Sequence, residues 1–544
     1  MSPETNSGLF FGKICLRLAV GIEYQSQMSD SNRKNRLEIF VIIVVILAAV
    51  FLAKFPTLYN WVNTPSGFWF PKNTSWFDAW DTNFQVSDIR YGQKAGILAQ
   101  NTYTTIPHNS ALIYQFYTLL GIINRLLRLD PFILFHLASI ISSVILILVC
   151  YYVAKVFFTD KFYRLSAFII FVLGGGLGWL QFFGLSGDTT IAGFTMVNAF
   201  ERGSEAISTA LLLLTFVFNF RYMKTWHRKY LFYAIITSFL SITLHPPFAA
   251  MYIVIGLIFV FWEYTKTKKF TSLMFPVTHL ILFGIYYFFV LSNLLINPGF
   301  AGVVGQELFN VDSMRLITGF GVISLFLGWA LLFSHNQTDE FKAAKIFFST
   351  QLVFIFLPFG FHLYFVKGLH VWGVILGLYG VQELFKNMRQ QKLITISIVL
   401  LSLITRIYIF NDLLHPNPNN PFLFLRSDEG KALEFMSQLP VDSNILSLYR
   451  IGNYIPAHTD NRVYFGHKFQ TPQAEEKLKM AKIFYLTDDE KKQTEFLRQN
   501  NIQYVYYGLE EASLRKFSKM EISNPFPYFP VIYKKDSIVI YQVK

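Results

Sequence analysis

Ala111-Leu-Ile-Tyr-Gln-Phe-Tyr-Thr-Leu-Leu-Gly121-Ile-Ile-Asn-Arg125-Leu-Leu-Arg128-Leu129 is apolar enough to cross a membrane. Whether the stretch Ser110–Leu129 does so decides on which side every later loop lies. The basic residues arbitrate. If the stretch lies along the outer face and the next span is 131–154, one side receives Lys155, Lys161, Arg164, Arg221, Lys224, Arg228, Lys229, Lys266, Lys268, Lys269, Lys342, Lys345, Lys386, Arg389 and Lys392. Lys and Arg in short loops accumulate in the cytoplasm. The stretch is therefore expected to be interfacial, with the stems of Arg125 and Arg128 snorkelling towards water.

Outward from it the chain reads as an α-helical polytopic membrane protein. Hydrophobic residues make up 53% and charged residues 15%, mean hydropathy is +0.39, and apolar runs of about 20 residues recur. Eleven spans are expected at 37–55, 131–154, 163–183, 204–222, 230–244, 247–263, 271–294, 314–333, 345–361, 369–385 and 393–410. The first reads as an uncleaved anchor after a cytoplasmic N-terminal segment, 1–36, in which Met28 is an alternative start. The membrane domain runs over 37–410 with its first outer loop at 56–130, and the odd number of spans places the tail outside. His245-Pro246-Pro247 reads as a tight outer turn enforced by proline. The net charge of +13 sits mostly in the short links, so it points to membrane orientation and not to nucleic acid. Cys15 and Cys150 cannot build a disulfide framework or a zinc cluster.

After Phe410 the composition changes. Residues 411–421 form a linker of turn formers, and 422–544 read as a small extracytoplasmic α/β domain. Its strands are expected at Asn444–Leu448 and Ile502–Tyr507, with a hairpin at Val531–Tyr541 and helices at Thr471–Phe484 and Asp488–Asn500.

The chemistry is expected in the first outer loop, in Trp76-Phe-Asp78-Ala-Trp80-Asp81-Thr-Asn-Phe-Gln-Val-Ser-Asp88-Ile-Arg90. On a helix, Asp78, Asp81 and Asp88 would share roughly one face. A carboxylate partly desolvated at a membrane edge can serve as a general base. The bland alternative is a set of solvated carboxylates, or caps on a short interfacial helix. Arg90, Arg125, Arg128, His245, Lys367 and His370 fall at outer ends of spans or interfacial segments, where each could face a phosphate or simply anchor the interface. His245 could instead stabilise its Pro-Pro turn. Glu201-Arg202 could close over a substrate or form a local ion pair. His136, near the outer end of the second span, could be functional or a neutral histidine bonded to a neighbouring helix. Gly174-Gly-Gly-Leu-Gly178 lacks the ending of a phosphate loop and reads as close packing or a bend.

The order of an uncleaved anchor, an acidic outer loop, an interfacial segment, many spans and an outer C-terminal domain resembles the GT-C class of integral-membrane glycosyltransferases. These enzymes use polyprenyl-phosphate-linked sugars. The likeness is carried by Trp80-Asp81 through Asp88-Ile-Arg90 with Gly96 following, by Tyr117-Thr-Leu-Leu-Gly121, by Leu244-His245-Pro246 and by Lys367-Gly-Leu-His370. The resemblance implies transfer of a sugar from a polyprenyl-phosphate-linked donor to a glycan, lipid or protein acceptor on the outer face of the cell membrane, with Asp81 as the base. Members of the class often carry two adjacent acidic residues. Here Thr82 follows Asp81, which leaves three alternatives: Asp78 takes the second role, Asp88 takes it, or the site is degenerate. The proposed phosphate and sugar contacts are Arg90, Lys367, His245, His370, Glu201 and Arg202. Some members use a divalent metal, but the sequence offers no ligand set and none is predicted. The C-terminal domain would help to admit acceptor or act as a lid. The rival readings are a lipid-linked-sugar transporter or flippase, which would need polar residues in the middle of several spans, and a non-catalytic envelope scaffold.

Overall fold

A computed structural model of the protein describes residues 36–74, 79–180, 186–304, 311–358, 362–420, 422–520 and 525–543. Met28 and the segment before Arg36 lie outside the described residues, as does the candidate Asp78. The described residues up to Ala49 are the first turns of a helix that continues to Val62, and residues from Val50 onward form one compact unit.

Seven helices among the described residues are long and apolar enough to cross a membrane: Arg36–Val62, Pro131–Phe157, Gly203–Thr225, Phe248–Thr267, Thr271–Ile296, Leu363–Leu384 and Met388–Leu414. An eighth candidate is the pair Ser313–Phe320 and Ile323–Leu332, bent by 113°. Gly321 allows that bend by adopting φ +66. The expected eleven spans are thus not all matched by long apolar helices. The segments at 163–183 and 230–244 correspond to helices of 13 and 17 residues, Lys161–Leu173 and Arg228–Leu244. Asp339–Phe356 carries Asp339, Glu340, Lys342 and Lys345 in its first half. The first of these helices ends at the glycine run, where a Cβ on Gly176 would lie 2.2 Å from the Thr318 carbonyl oxygen. The run is a close backbone contact with the bent pair.

Local chemistry sets the helix ends. Asp130 accepts from the backbone N–H groups of Phe132 and Ile133, and Pro131 occupies the first turn, so Pro131–Phe157 starts sharply. Pro246 and Pro247 separate Arg228–Leu244 from Phe248–Thr267. The stretch Ser110–Leu129 forms a helix only over Gln115–Leu127, entered and left through Tyr114 and Arg128 in the left-handed conformation. At 1.5 Å per residue its 13 residues span about 20 Å, less than the roughly 30 Å of a bilayer core. It packs against helix Ala79–Ala95, which carries Asp81 and Asp88.

The C-terminal residues build a five-stranded sheet in the spatial order Arg462–Val463, Asn444–Leu446, Tyr504–Tyr507, Ile538–Gln542 and Val531–Lys535. The first three run parallel and the last two pair antiparallel. One face packs around Leu446, Tyr485, Leu497, Val505 and Phe526. The opposite core is shared with the acidic segment: Phe84 and Tyr103 join Leu425, Leu433, Tyr454, Ile455 and Ile540. Phe68–Trp69 pairs antiparallel with Leu425–Arg426. Burying a large apolar side chain contributes about 1.5–3 kcal/mol, so this joint core fixes helix Ala79–Ala95 firmly against the C-terminal residues.

Candidate active site

Asp81 lies in the first turn of helix Ala79–Ala95. Its carboxylate is held from two sides. Arg202 Nη1 donates to Oδ2 at 3.1 Å, and His467 Nε2 lies 3.0 Å from Oδ1. The backbone N–H groups of Phe469 and Gln470 both point at His467 Nδ1, at 3.2 and 3.3 Å. That nitrogen is therefore the acceptor, and the ring proton sits on Nε2, aimed at Asp81. Burial alone would raise the Asp81 carboxyl. The Arg202 guanidinium and the His467 hydrogen bond outweigh that and hold it below the usual carboxylate range, with Glu205 opposing.

A second charged group faces it. Glu205, in the first turn of helix Gly203–Thr225, is ion-paired with Lys367. Lys367 also donates to His245 Nε2 at 2.8 Å and sits 4.6 Å from the centre of the Tyr364 ring. His245 Nε2 is 3.6 Å from Glu205. Because that nitrogen already accepts from an ammonium, His245 is neutral and the pair is not ionic. Burial, with Lys367 adding to it, pushes the imidazole down to about 3.

Between these groups is a cavity of about 410 Å³. Asp81, Arg202, Glu205 and His245 line its polar part, with Tyr114, Tyr117, Tyr364 and Gln470. Leu291, Leu294 and Val303 line its apolar part. Helix Thr271–Ile296, which supplies the two leucines, exposes Leu280, Ile281, Phe288, Phe289, Leu295 and Ile296. The pocket thus joins a charged end to the apolar surface of a membrane helix.

The other candidates are placed elsewhere. Asp88 is buried beside Tyr103 and does not line the cavity; burial raises its carboxyl well above the ordinary value, and its Oδ2 has no hydrogen-bond partner among the described residues. Arg90 reaches Asp460, with an ion pair at 3.2 Å, and joins Lys94 in holding that residue. Glu201 is buried behind the cavity. Its carbonyl accepts from Lys54 at 3.2 Å, and Lys54 and Arg406 balance its charge. His370 stacks on Phe320 at 5.9 Å, and neither of its ring nitrogens has a hydrogen-bond partner among the described residues. Arg125 donates to the carbonyls of Gln93 and Gly92, tying two helices together. His136 bonds the Lys72 carbonyl at 2.9 Å.

Two residues of the site escape the sequence reading. Glu205 had a signal, a carboxylate opening an apolar span four residues after Glu201. His467 had none, since it lies 386 residues from Asp81 in a segment with no motif.

Both carboxylates facing the cavity are already matched by a cation, and among the described residues no group of three His, Cys, Asp or Glu side chains could hold a metal ion.

The fold is shared with solved structures of GT-C glycosyltransferases. The oligosaccharyltransferase of Archaeoglobus fulgidus, solved with a tethered acceptor peptide, matches with a TM-score of 0.55 and 12% identity, covering 93% of this chain and 74% of its own. ArnT from Cupriavidus metallidurans gives 0.52 and 11%, over 93% of this chain and 98% of its own. The mycobacterial arabinofuranosyltransferase AftD gives 0.54 and 11%, over 92% and 40%. No protein-family description matches this chain, and no curated protein matches it in sequence.

Proposed function

We propose that this protein is a membrane glycosyltransferase. It moves a sugar from a polyprenyl-phosphate-linked donor to a glycan, lipid or protein acceptor on the extracytoplasmic face of the cell membrane, with Asp81 as general base. The observation that carries the reading is the cavity itself. A lipid-linked sugar phosphate is charged at one end and apolar along its length, and the cavity is lined both by Arg202 and Asp81 and by Leu291, Leu294 and Val303. A structure of ArnT holds undecaprenyl phosphate, with a TM-score of 0.50 to this chain, and the archaeal transferase holds an acceptor peptide. Both support a lipid donor and a separate acceptor for this fold.

The chemistry follows from the side chains. The acceptor hydroxyl oxygen forms a bond to the anomeric carbon from the face opposite the phosphate, and its proton passes to Asp81. The bond from that carbon to the phosphate oxygen breaks, and the lipid phosphate leaves with the electron pair. Arg202 can stabilise that charge through two parallel hydrogen bonds. Moving Arg202 from Asp81 to the phosphate removes the main cation that depresses the Asp81 carboxyl, so donor binding makes the carboxylate a stronger base.

The test is transfer from undecaprenyl-phosphate-linked sugars in proteoliposomes, comparing wild type with Asp81→Asn. Turnover is expected to fall by about 10²–10⁴-fold. Undiminished turnover in the variant removes Asp81 from the mechanism.

A further inference from the structure

The two partners of Asp81 are not equivalent. Arg202 lines the cavity, where a phosphate can reach it. His467 is fully buried, at 0% exposure, and does not line the cavity. Its ring is packed among Phe84, Tyr103 and Phe469 at centroid distances of 5.9, 5.6 and 6.3 Å. Both ring nitrogens are engaged, and the turn that carries it is closed by the Thr471 N–H donating to the His467 carbonyl at 2.9 Å. The imidazole therefore has one orientation and one tautomer, and its single N–H is directed at Oδ1.

We propose that His467 is the positioning residue for Asp81, holding the carboxylate in line with the acceptor after Arg202 has turned to the donor phosphate. The C-terminal segment is then part of the catalytic apparatus. This rests on the reading of Asp81 as base. A carboxylate with one exchangeable and one fixed partner keeps its place while its charge is uncovered, and preorganisation of this kind is what a general base needs. Without His467 the carboxylate would be free to rotate once Arg202 departs.

The groups facing Asp81 are Arg202 from the Gly203–Thr225 helix N-terminus, Glu205 one turn further on, His467, and the phenols of Tyr103, Tyr114 and Tyr364. Of these, Arg202 and His467 lower the Asp81 carboxyl and Glu205 raises it. Removing His467 must therefore move its titration upward.

Two measurements on the full-length protein in nanodiscs decide the matter, using His467→Ala and His467→Gln. The first is the infrared carboxylate band of Asp81, identified by subtracting the spectrum of Asp81→Asn and titrated without any substrate. It is expected to titrate at higher pH in His467→Ala and to return towards wild type in His467→Gln, whose amide can donate in place of Nε2–H. The second is transfer from undecaprenyl-phosphate-linked sugars. In His467→Ala, kcat is expected to fall about 10²-fold with KM for donor little changed, and the acid limb of the pH profile should move up. A titration unmoved in a His467→Ala protein that unfolds at the wild-type temperature overturns the proposal. If His467→Ala does not fold, His467→Gln decides: wild-type titration with kcat still reduced about 10²-fold overturns it. Absence of transfer from wild type would count against the glycosyltransferase reading alone, because the infrared titration needs no donor.

Discussion

Glu205 and Lys367 are two halves of one buried pair, with side chains 19% and 6% exposed. Removing one half of such a pair strands the other charge away from water and costs about 3–5 kcal/mol. Lys367→Met is expected to destabilise by that amount, and Glu205→Gln combined with Lys367→Met to recover most of it, as read from thermal unfolding in detergent. Asp88 poses the opposite case. Its folded carboxyl titrates well above the ordinary 3.8 because it is buried. The folded state therefore keeps a proton that the unfolded state releases, and wild-type stability falls as pH rises above about 4. Asp88→Asn lacks that loss. Its unfolding temperature should gain on wild type as pH rises above about 4, at up to about 1.4 kcal/mol per pH unit. Single residues were legible here where their type was out of place. A carboxylate among tryptophans and a lysine opening a late span stand out in an apolar sequence. That Lys367 bridges His245 and Glu205 does not, because the three come from segments up to 162 residues apart, and hydropathy does not say which helix ends meet.

Helix Ala79–Ala95 owes its position to helix Gln115–Leu127, and the two touch through glycines. A Cβ on Gly121 would lie 2.2 Å from the Ile89 carbonyl oxygen and 2.6 Å from the Gln93 nitrogen. A Cβ on Gly92 would lie 2.3 Å from the Thr118 carbonyl oxygen. These obstacles are backbone, so no rotamer relieves them. Gly121→Ala is expected to force the helices apart at a cost of about 1–3 kcal/mol. It should also reduce transfer, because the displaced helix carries Asp81; unfolding temperature and turnover on the same preparation check both. The basic residues of the later loops place Ser110–Leu129 along the outer face, whereas its restriction to a helix over Gln115–Leu127 is seen only in the structure. The sequence does not reveal the facing glycines, since a glycine within a helix is equally consistent with contact to lipid. Likewise, the Pro-Pro turn after His245 is readable from backbone chemistry alone, whereas the 113° bend near Gly321 is set by packing against the Gly174–Gly178 run.

Across the whole chain, the composition change after Phe410 reads as a domain border, yet the core ignores it. Asn83 donates to Asn453 at 2.7 Å, and Tyr103 to the Asn453 carbonyl at 2.9 Å. The Val463 N–H donates to the Thr102 carbonyl at 3.0 Å. Linear composition registers where the chain leaves the apolar phase. It cannot register that the departing segment returns to finish an earlier loop. The proposed orientation can be tested on a Cys15→Ser background, in which the remaining Cys150 is buried. Asp442→Cys, at a side chain 60% exposed, is expected to react with a membrane-impermeant maleimide on intact cells, and Lys268→Cys only after permeabilisation. The reverse pattern would turn the protein over in the membrane.

The shared core also dictates when the protein becomes competent during synthesis. His467 emerges 386 residues after Asp81, roughly 20–80 s at ordinary translation speeds. Throughout that interval the acidic helix exists without the strands that cover Phe84 and Tyr103. A half-made chain therefore lacks the histidine that holds Asp81, and its uncovered aromatic surface must be shielded until the last hairpin arrives.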